Sequence, residues 1–249
     1  MNRVSQEDIE RYIYNYIYIR TRKNLQKQDA WKIIYELLLW CVTVKGENIP
    51  HIVEVNELNR SRIWFERAIH ARSYISQELG VKDSDLCAVI DMLIKGLKLT
   101  NKQRQNYLGK GFSASLKILL KILLNIDSKK ELSYSSIKGL EDIGRGKVDL
   151  ALPPPNYQVL VSTKWSLRHD RLRDLINEAT ECKRKRPDII FLVVTNEYQK
   201  ARLSRVIECE YVDAVYHVHK PLLIALGLDP PNSLKDLVDF FNDIKAIIP

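Results

Sequence analysis

Three consecutive prolines, Pro153-Pro154-Pro155, and then Asn156 separate two strand-like runs, Lys147 to Leu152 and Tyr157 to Lys164. Proline has a fixed φ and no backbone N–H to give a sheet ladder, so neither run continues through this stretch. The chain must turn here, and the two runs are expected to fold back on each other as a hairpin. Gly144-Arg145-Gly146 is expected to be the turn that opens the first run. Beyond the hairpin, Arg171 to Lys185 has a helical stripe at Leu172, Leu175, Ile176, Ala179 and Cys182. Ile189 to Thr195 reads as a buried strand, Ala214 to Val218 as another, and Leu234 to Ile247 as a closing amphipathic helix. The order strand, strand, helix, strand, helix, strand indicates an α/β core.

The N-terminal part reads differently. Ser5 with Asp8 resembles a capping box opening a helix to about Arg20, in which the isoleucines at 9, 13, 17 and 19 outweigh the strand-like alternation of four tyrosines. Further helices are expected over about 29–44, 58–79 and 84–97, with Gly46 to Pro50 breaking the pattern after the first of these. Thr100 caps another helix, which Gly109 and Gly111 are expected to interrupt before Ser113 to Leu124 resumes it. The expected division is a helical N-terminal region over 1–98 and an α/β core over 99–249. The composition, 45% hydrophobic and 28% charged over 249 residues, excludes intrinsic disorder. The longest apolar runs, Tyr35 to Val44 and Ile118 to Leu124, fall short of the roughly 20 residues that cross a bilayer, so no membrane association is expected. The first residues are not those of a signal peptide, and a cytoplasmic protein is expected. The four cysteines are scattered and read as buried thiols, while His217 and His219 read as structural residues of one strand.

Lys plus Arg exceeds Asp plus Glu by 39 to 31, a net charge of +8, which favours a polyanionic partner. Side chains on a strand alternate faces, so Leu160, Ser162 and Lys164 share one face. Asp149 stands between Val148 and Leu150 on the preceding strand, and the hairpin brings it near Ser162 and Lys164. A carboxylate and an ammonium at adjacent strand ends also fit a plain ion pair. Fourteen positions after the lysine comes Glu178, one helical turn from Leu175 and from Cys182. Of Asp174, Glu178 and Glu181 it lies nearest the apolar stripe and is expected to face inward. Two convergent carboxylates hold a hard cation such as Mg²⁺. A lysine beside them stabilises developing negative charge or orients a water, an arrangement suited to metal-assisted phosphodiester hydrolysis.

Asp149, Ser162-Thr163-Lys164 and Glu178 resemble the variant active site of PD-(D/E)XK nucleases. In that variant serine replaces the acidic residue two before the lysine, and a glutamate on the next helix takes over metal binding. The form is characteristic of type II restriction endonucleases that read a CCGG core. Their base-contacting Arg, Asp and Arg, four, six and seven residues after the lysine, correspond to Arg168, Asp170 and Arg171. The resemblance covers about residues 141–220. It implies a PD-(D/E)XK core with a mixed central sheet flanked by helices. It also implies Mg²⁺ as cofactor, double-stranded DNA as substrate, four-base 5′ overhangs, and a cognate methyltransferase in the same prokaryotic system. A palindromic site asks for two-fold symmetry, hence a homodimer or tetramer.

Two departures stand out. Val148 occupies the position that gives the motif its proline, and Gly111 to Leu116 lacks the further glutamate that some members carry on the preceding helix. The rival readings are another PD-(D/E)XK DNA nuclease, such as a repair or methyl-directed enzyme, and a DNA-binding protein that has kept the fold without catalysis. Trp165 reads as a packing residue. Lys183 to Arg186 suits either the C-terminal dipole of its helix or phosphate contacts. Asn101 to Asn106 fits a DNA-facing surface or an ordinary polar helix face.

Overall fold

The computed structural model describes residues 14, 18, 25–38, 43–44, 47–50, 101–144, 146–225 and 227–248. The expected helices over 58–79 and 84–97, and most of the helix ending near Arg20, lie outside the described residues. Among the described residues no helix is long and apolar enough to cross a membrane.

Among the described residues the helices are α1 (Ala30–Leu38), α2 (Asn101–Leu124), α3 (His169–Lys185), α4 (Lys200–Ile207), α5 (Lys220–Ala225) and α6 (Leu237–Ile247). The strands β1 (Thr43–Val44) and β2 (Glu47–Pro50) form a small antiparallel pair. The main sheet has six strands in sequence order: β3 (Lys129–Ser133), β4 (Lys147–Leu152), β5 (Val159–Lys164), β6 (Ile190–Thr195), β7 (Ala214–His217) and β8 (Lys235–Asp236). The β3–β4–β5 portion is antiparallel and β5 through β8 run parallel. The expected hairpin is present, with Leu152 opposite Val159 and Leu150 opposite Val161.

Helices cover both faces of this mixed sheet. On one face the buried residues of α1, α2 and α6 meet Leu150, Leu152, Val159, Val161, Leu192 and Val194. On the other, Leu172, Leu175, Ala179 and Cys182 of α3 and Leu203 and Val206 of α4 meet Leu160, Phe191, Val193 and Val215. The central strands β5 and β6 are therefore apolar on both sides, as parallel strands covered twice must be. Ala30, Trp31, Ile33, Ile34 and Tyr35 of α1 belong to the same buried cluster as the sheet, so this part of the N-terminal region packs on the core.

Several expectations need correction. α2 runs unbroken from Asn101 to Leu124, through Gly109 and Gly111. A helical glycine costs only about 1 kcal/mol relative to alanine, and the buried face from Phe112 to Leu120 offsets it. The Ser115 hydroxyl also donates to the Gly111 carbonyl at 2.7 Å, inside the helix. Thr43 and Val44, expected at a helix end, are extended and paired with β2, in keeping with their β-branched side chains. β3, α5 and β8 were not anticipated. β3 is Lys-Lys-Glu-Leu-Ser, with a single apolar residue to signal it.

Candidate active site

Asp149 sits where the sheet ladder is interrupted. On the β3 side the register passes from Lys130 opposite Leu150 to Leu132 opposite Val148. The residue left facing Asp149 is Glu131, in the left-handed region with φ 51°. Left-handed backbone is uncommon for a residue with a Cβ and concentrates where a site demands it. On the β5 side the pairing stops at Leu150 opposite Val161, one residue short of Asp149. The Asp149 carboxylate takes over from the ladder: Oδ2 accepts the Thr163 backbone N–H at 2.8 Å. The same oxygen accepts from Lys164 Nζ at 2.5 Å and from Ser162 Oγ at 3.5 Å. Asp149, Ser162 and Lys164 thus converge as the alternation of strand faces suggested. The Lys164 and Asp149 side chains retain 16% and 28% of their exposure, so the pair lies at a solvent-reached edge of the core.

Glu178 approaches from α3. Leu175, Ala179 and Cys182 are buried on its inner face, and Glu178 is half-buried between them, while Asp174 and Glu181 are exposed. Burial pushes the Glu178 carboxyl up to about 7, and the negative charges of Asp149 and Asp174 add to this. The Lys164 ammonium and a hydrogen bond from Tyr134 pull the other way. The two carboxylates and the ammonium therefore share one electrostatic neighbourhood, and a further cation would relieve the mutual repulsion of Asp149 and Glu178.

Tyr134 was not singled out by sequence reasoning. Its hydroxyl donates to Glu178 Oε1. The ring is buried, and burial together with Glu178 and Cys182 drives its pKa strongly upward, so it stays a donor. Burial likewise pushes the Cys182 thiol up to about 12, and it remains protonated. Gly146 explains how the ring is seated: a Cβ there would lie 2.9 Å from the Tyr134 ring. The second glycine of the expected turn is thus required by a close approach to a side chain. No local sequence signal exposes this, because Tyr134 and Glu178 are 44 residues apart.

The donor set suits Mg²⁺. It consists of carboxylate oxygens, and Mg²⁺ keeps several waters while taking one or two carboxylates together with substrate phosphate. Among the described residues no cluster of three His, Cys, Asp or Glu side chains offers a protein-only cage.

Arg168, Asp170 and Arg171 are exposed at the start of α3, directly after the strand that ends in Lys164. Arg168 occupies the N-cap position, and its side chain makes no capping bond. The Arg171 backbone N–H chiefly, with the two arginines, holds the Asp170 carboxyl below its usual range. No hydrogen bond or ion pair among the described residues joins these three to Asp149, Lys164 or Glu178.

Several of the remaining candidates make structural contacts. Trp165 packs edge-on against Phe112 and Tyr35, with ring centroids 5.6 and 5.9 Å apart. In the basic run, Lys183 pairs with Asp213 at 2.7 Å and Arg186 with Asp188 at 2.7 Å. Burial pushes His217 down to about 3, and it accepts the His219 N–H at 3.0 Å; His219 stacks on Trp31 at 3.8 Å. The side chains of Asn101 to Asn106 lie outside the described residues.

No family model and no curated protein matches the sequence. Among solved structures, the chain is similar to the restriction endonuclease PspGI in complex with substrate DNA, at 15% identity and a TM-score of 0.41 over 92% of this chain and 95% of that one. It is also similar to metal-depleted Ecl18kI in complex with uncleaved, modified DNA, at 16% identity and a TM-score of 0.43 over 98% of this chain and 84% of that one.

Proposed function

We propose that the protein is a type II restriction endonuclease that cleaves double-stranded DNA at a palindromic site with a CCGG core. The observation that carries the reading is the meeting of Asp149, Ser162 and Lys164 at a broken sheet ladder, with the inward-facing Glu178 carboxyl under the electrostatic influence of Lys164 and Asp149. This pattern of two oxygen-donor carboxylates and one ammonium serves phosphodiester hydrolysis. Asp149 and Glu178 are the residues that would hold Mg²⁺. When bound, the ion supplies Lewis-acid stabilisation of charge on the attacked phosphate. Lys164 orients the attacking water and offsets the charge that develops on the phosphate. Ser162 supports the Asp149 carboxylate. Tyr134 fixes one oxygen of Glu178, leaving the other for the cation.

Arg168, Asp170 and Arg171 serve recognition in this reading. Guanine presents two acceptors in the major groove, N7 and O6, and cytosine an amino donor. Guanidinium forks match the first and a carboxylate the second. Two symmetric copies together supply four arginines and two aspartates for the four base pairs of CCGG. The enzyme acts as a homodimer or tetramer, cuts before the first cytosine to leave four-base 5′ overhangs, and is accompanied by a methyltransferase that protects the same site.

Incubating unmethylated plasmid with the protein, with and without Mg²⁺, tests the reading. Discrete fragments only with Mg²⁺ are expected. Intact plasmid that the protein nevertheless binds at particular sites would favour a non-catalytic DNA-binding protein.

A further inference from the structure

We infer that Glu197 is a positioning residue that fixes the segment carrying Arg168, Asp170 and Arg171 relative to Lys164; the inference rests on the function proposed above. Glu197 follows the carboxyl end of β6 and retains only 3% of its exposure. Burying a carboxylate is costly unless its lone pairs are met. Here two different pieces of structure meet them. Oε1 accepts the Tyr198 and Gln199 N–H groups at 3.0 and 2.9 Å, closing the entrance to α4. Oε2 accepts the Leu167 N–H at 2.7 Å and Arg202 Nη1 at 3.3 Å.

The Leu167 bond is the informative one. Leu167 lies between Lys164 and Arg168 in the short connection from β5 to α3, and its side chain is fully buried. The next residue is Arg168, whose carbonyl accepts the Leu172 N–H at 2.8 Å and opens the helix. Trp165 is held from the other side by Phe112 and Tyr35. The connection is thus clamped at Trp165 by aromatic packing and at Leu167 by a buried carboxylate. Holding the Tyr198–Gln199 turn that leads into α4 would need only one carboxylate oxygen and no reach to Leu167. Spanning β6, α4 and the β5–α3 connection with one side chain locks the recognition segment to the strand that carries Lys164.

Glu197→Gln separates this role from that of merely holding the turn before α4. An amide offers one acceptor oxygen, and its NH₂ would face either Leu167 or the α4 amides, donor against donor. Arg202→Met is the second variant if Glu197→Gln does not fold, since it removes one partner of Oε2 and leaves the Oε1 bonds to Tyr198 and Gln199 intact.

The experiment uses the full chain without metal. It measures binding to one duplex containing CCGG and one with the core scrambled, together with thermal unfolding and hydrogen exchange of residues 165–171. For Glu197→Gln the expected result is at least a tenfold fall in the affinity ratio, arising on the CCGG duplex alone. Exchange at Leu167 should quicken, while scrambled-duplex affinity and cooperative unfolding are retained. Arg202→Met should give a smaller loss of the same kind. An unchanged ratio in the variant that folds overturns the inference and leaves the proposed function standing. Parallel loss on both duplexes with a fall in Tm marks an ordinary structural role and also overturns it. A wild-type protein that binds both duplexes equally overturns the inference and the CCGG reading together.

Discussion

At the scale of single residues, the site is built from charges that need one another. Asp149 gathers the Thr163 N–H and the Lys164 ammonium on one oxygen. Asp149→Ala and Lys164→Ala should therefore each lower the single-turnover cleavage rate by roughly 10²–10³-fold or more, the scale of losing one preorganised electrostatic group. DNA binding should be largely retained, and near-normal cleavage by either variant would contradict the assignment. Glu178→Ala should be equally inactive, whereas Asp174→Ala and Glu181→Ala, which alter exposed carboxylates on the same helix, should cut normally. Glu178 also implies a pH dependence. Its carboxyl is raised from 4.5 to about 7 in the folded protein, chiefly by burial, so between these values the folded chain holds a proton that the unfolded chain has lost. The associated stabilisation is complete below about pH 4.5 and is lost as pH rises through about 7. Melts of metal-free protein should show a decline over that interval that Glu178→Gln lacks. Mg²⁺ needs the ionised carboxylate, so calorimetry near pH 6 in buffers of different ionisation enthalpy should show proton release on binding. Identical melts for the two proteins and no proton release would contradict the raised value.

At the scale of elements, two glycines of similar appearance in the sequence have opposite roles. Gly109 is exposed in α2, and a Cβ there would meet none of the described residues within 4 Å. Gly109→Ala should stabilise the protein by about 0.5–1 kcal/mol, read as a higher Tm. Gly146→Ala drives a methyl against the Tyr134 ring and should destabilise the fold and weaken Mg²⁺ binding together. The contrast shows what was legible in the sequence. The hairpin could be read because three prolines force a turn, α3 because its apolar stripe has helical period, and β6 because a strand covered on both faces is apolar throughout. That Asp149, Ser162 and Lys164 meet, and that Glu178 turns inward, could be read because strand alternation and helix period fix which side chains share a face. β3 stayed hidden because an edge strand can be polar, and β8 because two residues carry no period. The interruption expected in α2 failed because tertiary burial outweighs the modest helix cost of glycine. Tyr134 and Glu197 act through contacts with residues distant in the chain, Glu178 and Leu167, and no local pattern reports such contacts.

At the scale of the whole molecule, the account depends on symmetry. The net charge of +8 suits a polyanion but says nothing of sequence. Under the proposed function a palindrome is read by two copies of Arg168, Asp170 and Arg171 related by a two-fold axis. Light scattering should accordingly show a dimer or tetramer, alone or on a CCGG duplex; a monomer in both conditions would remove the basis for symmetric cutting. Arg168→Ala or Arg171→Ala should cost roughly 1–3 kcal/mol per lost bidentate contact, doubled by symmetry. The loss should fall on CCGG duplexes selectively, whereas a purely phosphate-binding role would weaken all sequences alike and chiefly alter the salt dependence. The proposed function puts catalysis and recognition together in the short passage from Lys164 to Arg171, so the position and geometry of the cut test both at once. Sequencing the ends of DNA digested by the wild-type protein with Mg²⁺ is the most direct measurement. The account predicts CCGG at every cut, with four-base 5′ overhangs beginning at the first cytosine; cut sites lacking CCGG, or blunt ends, would contradict it.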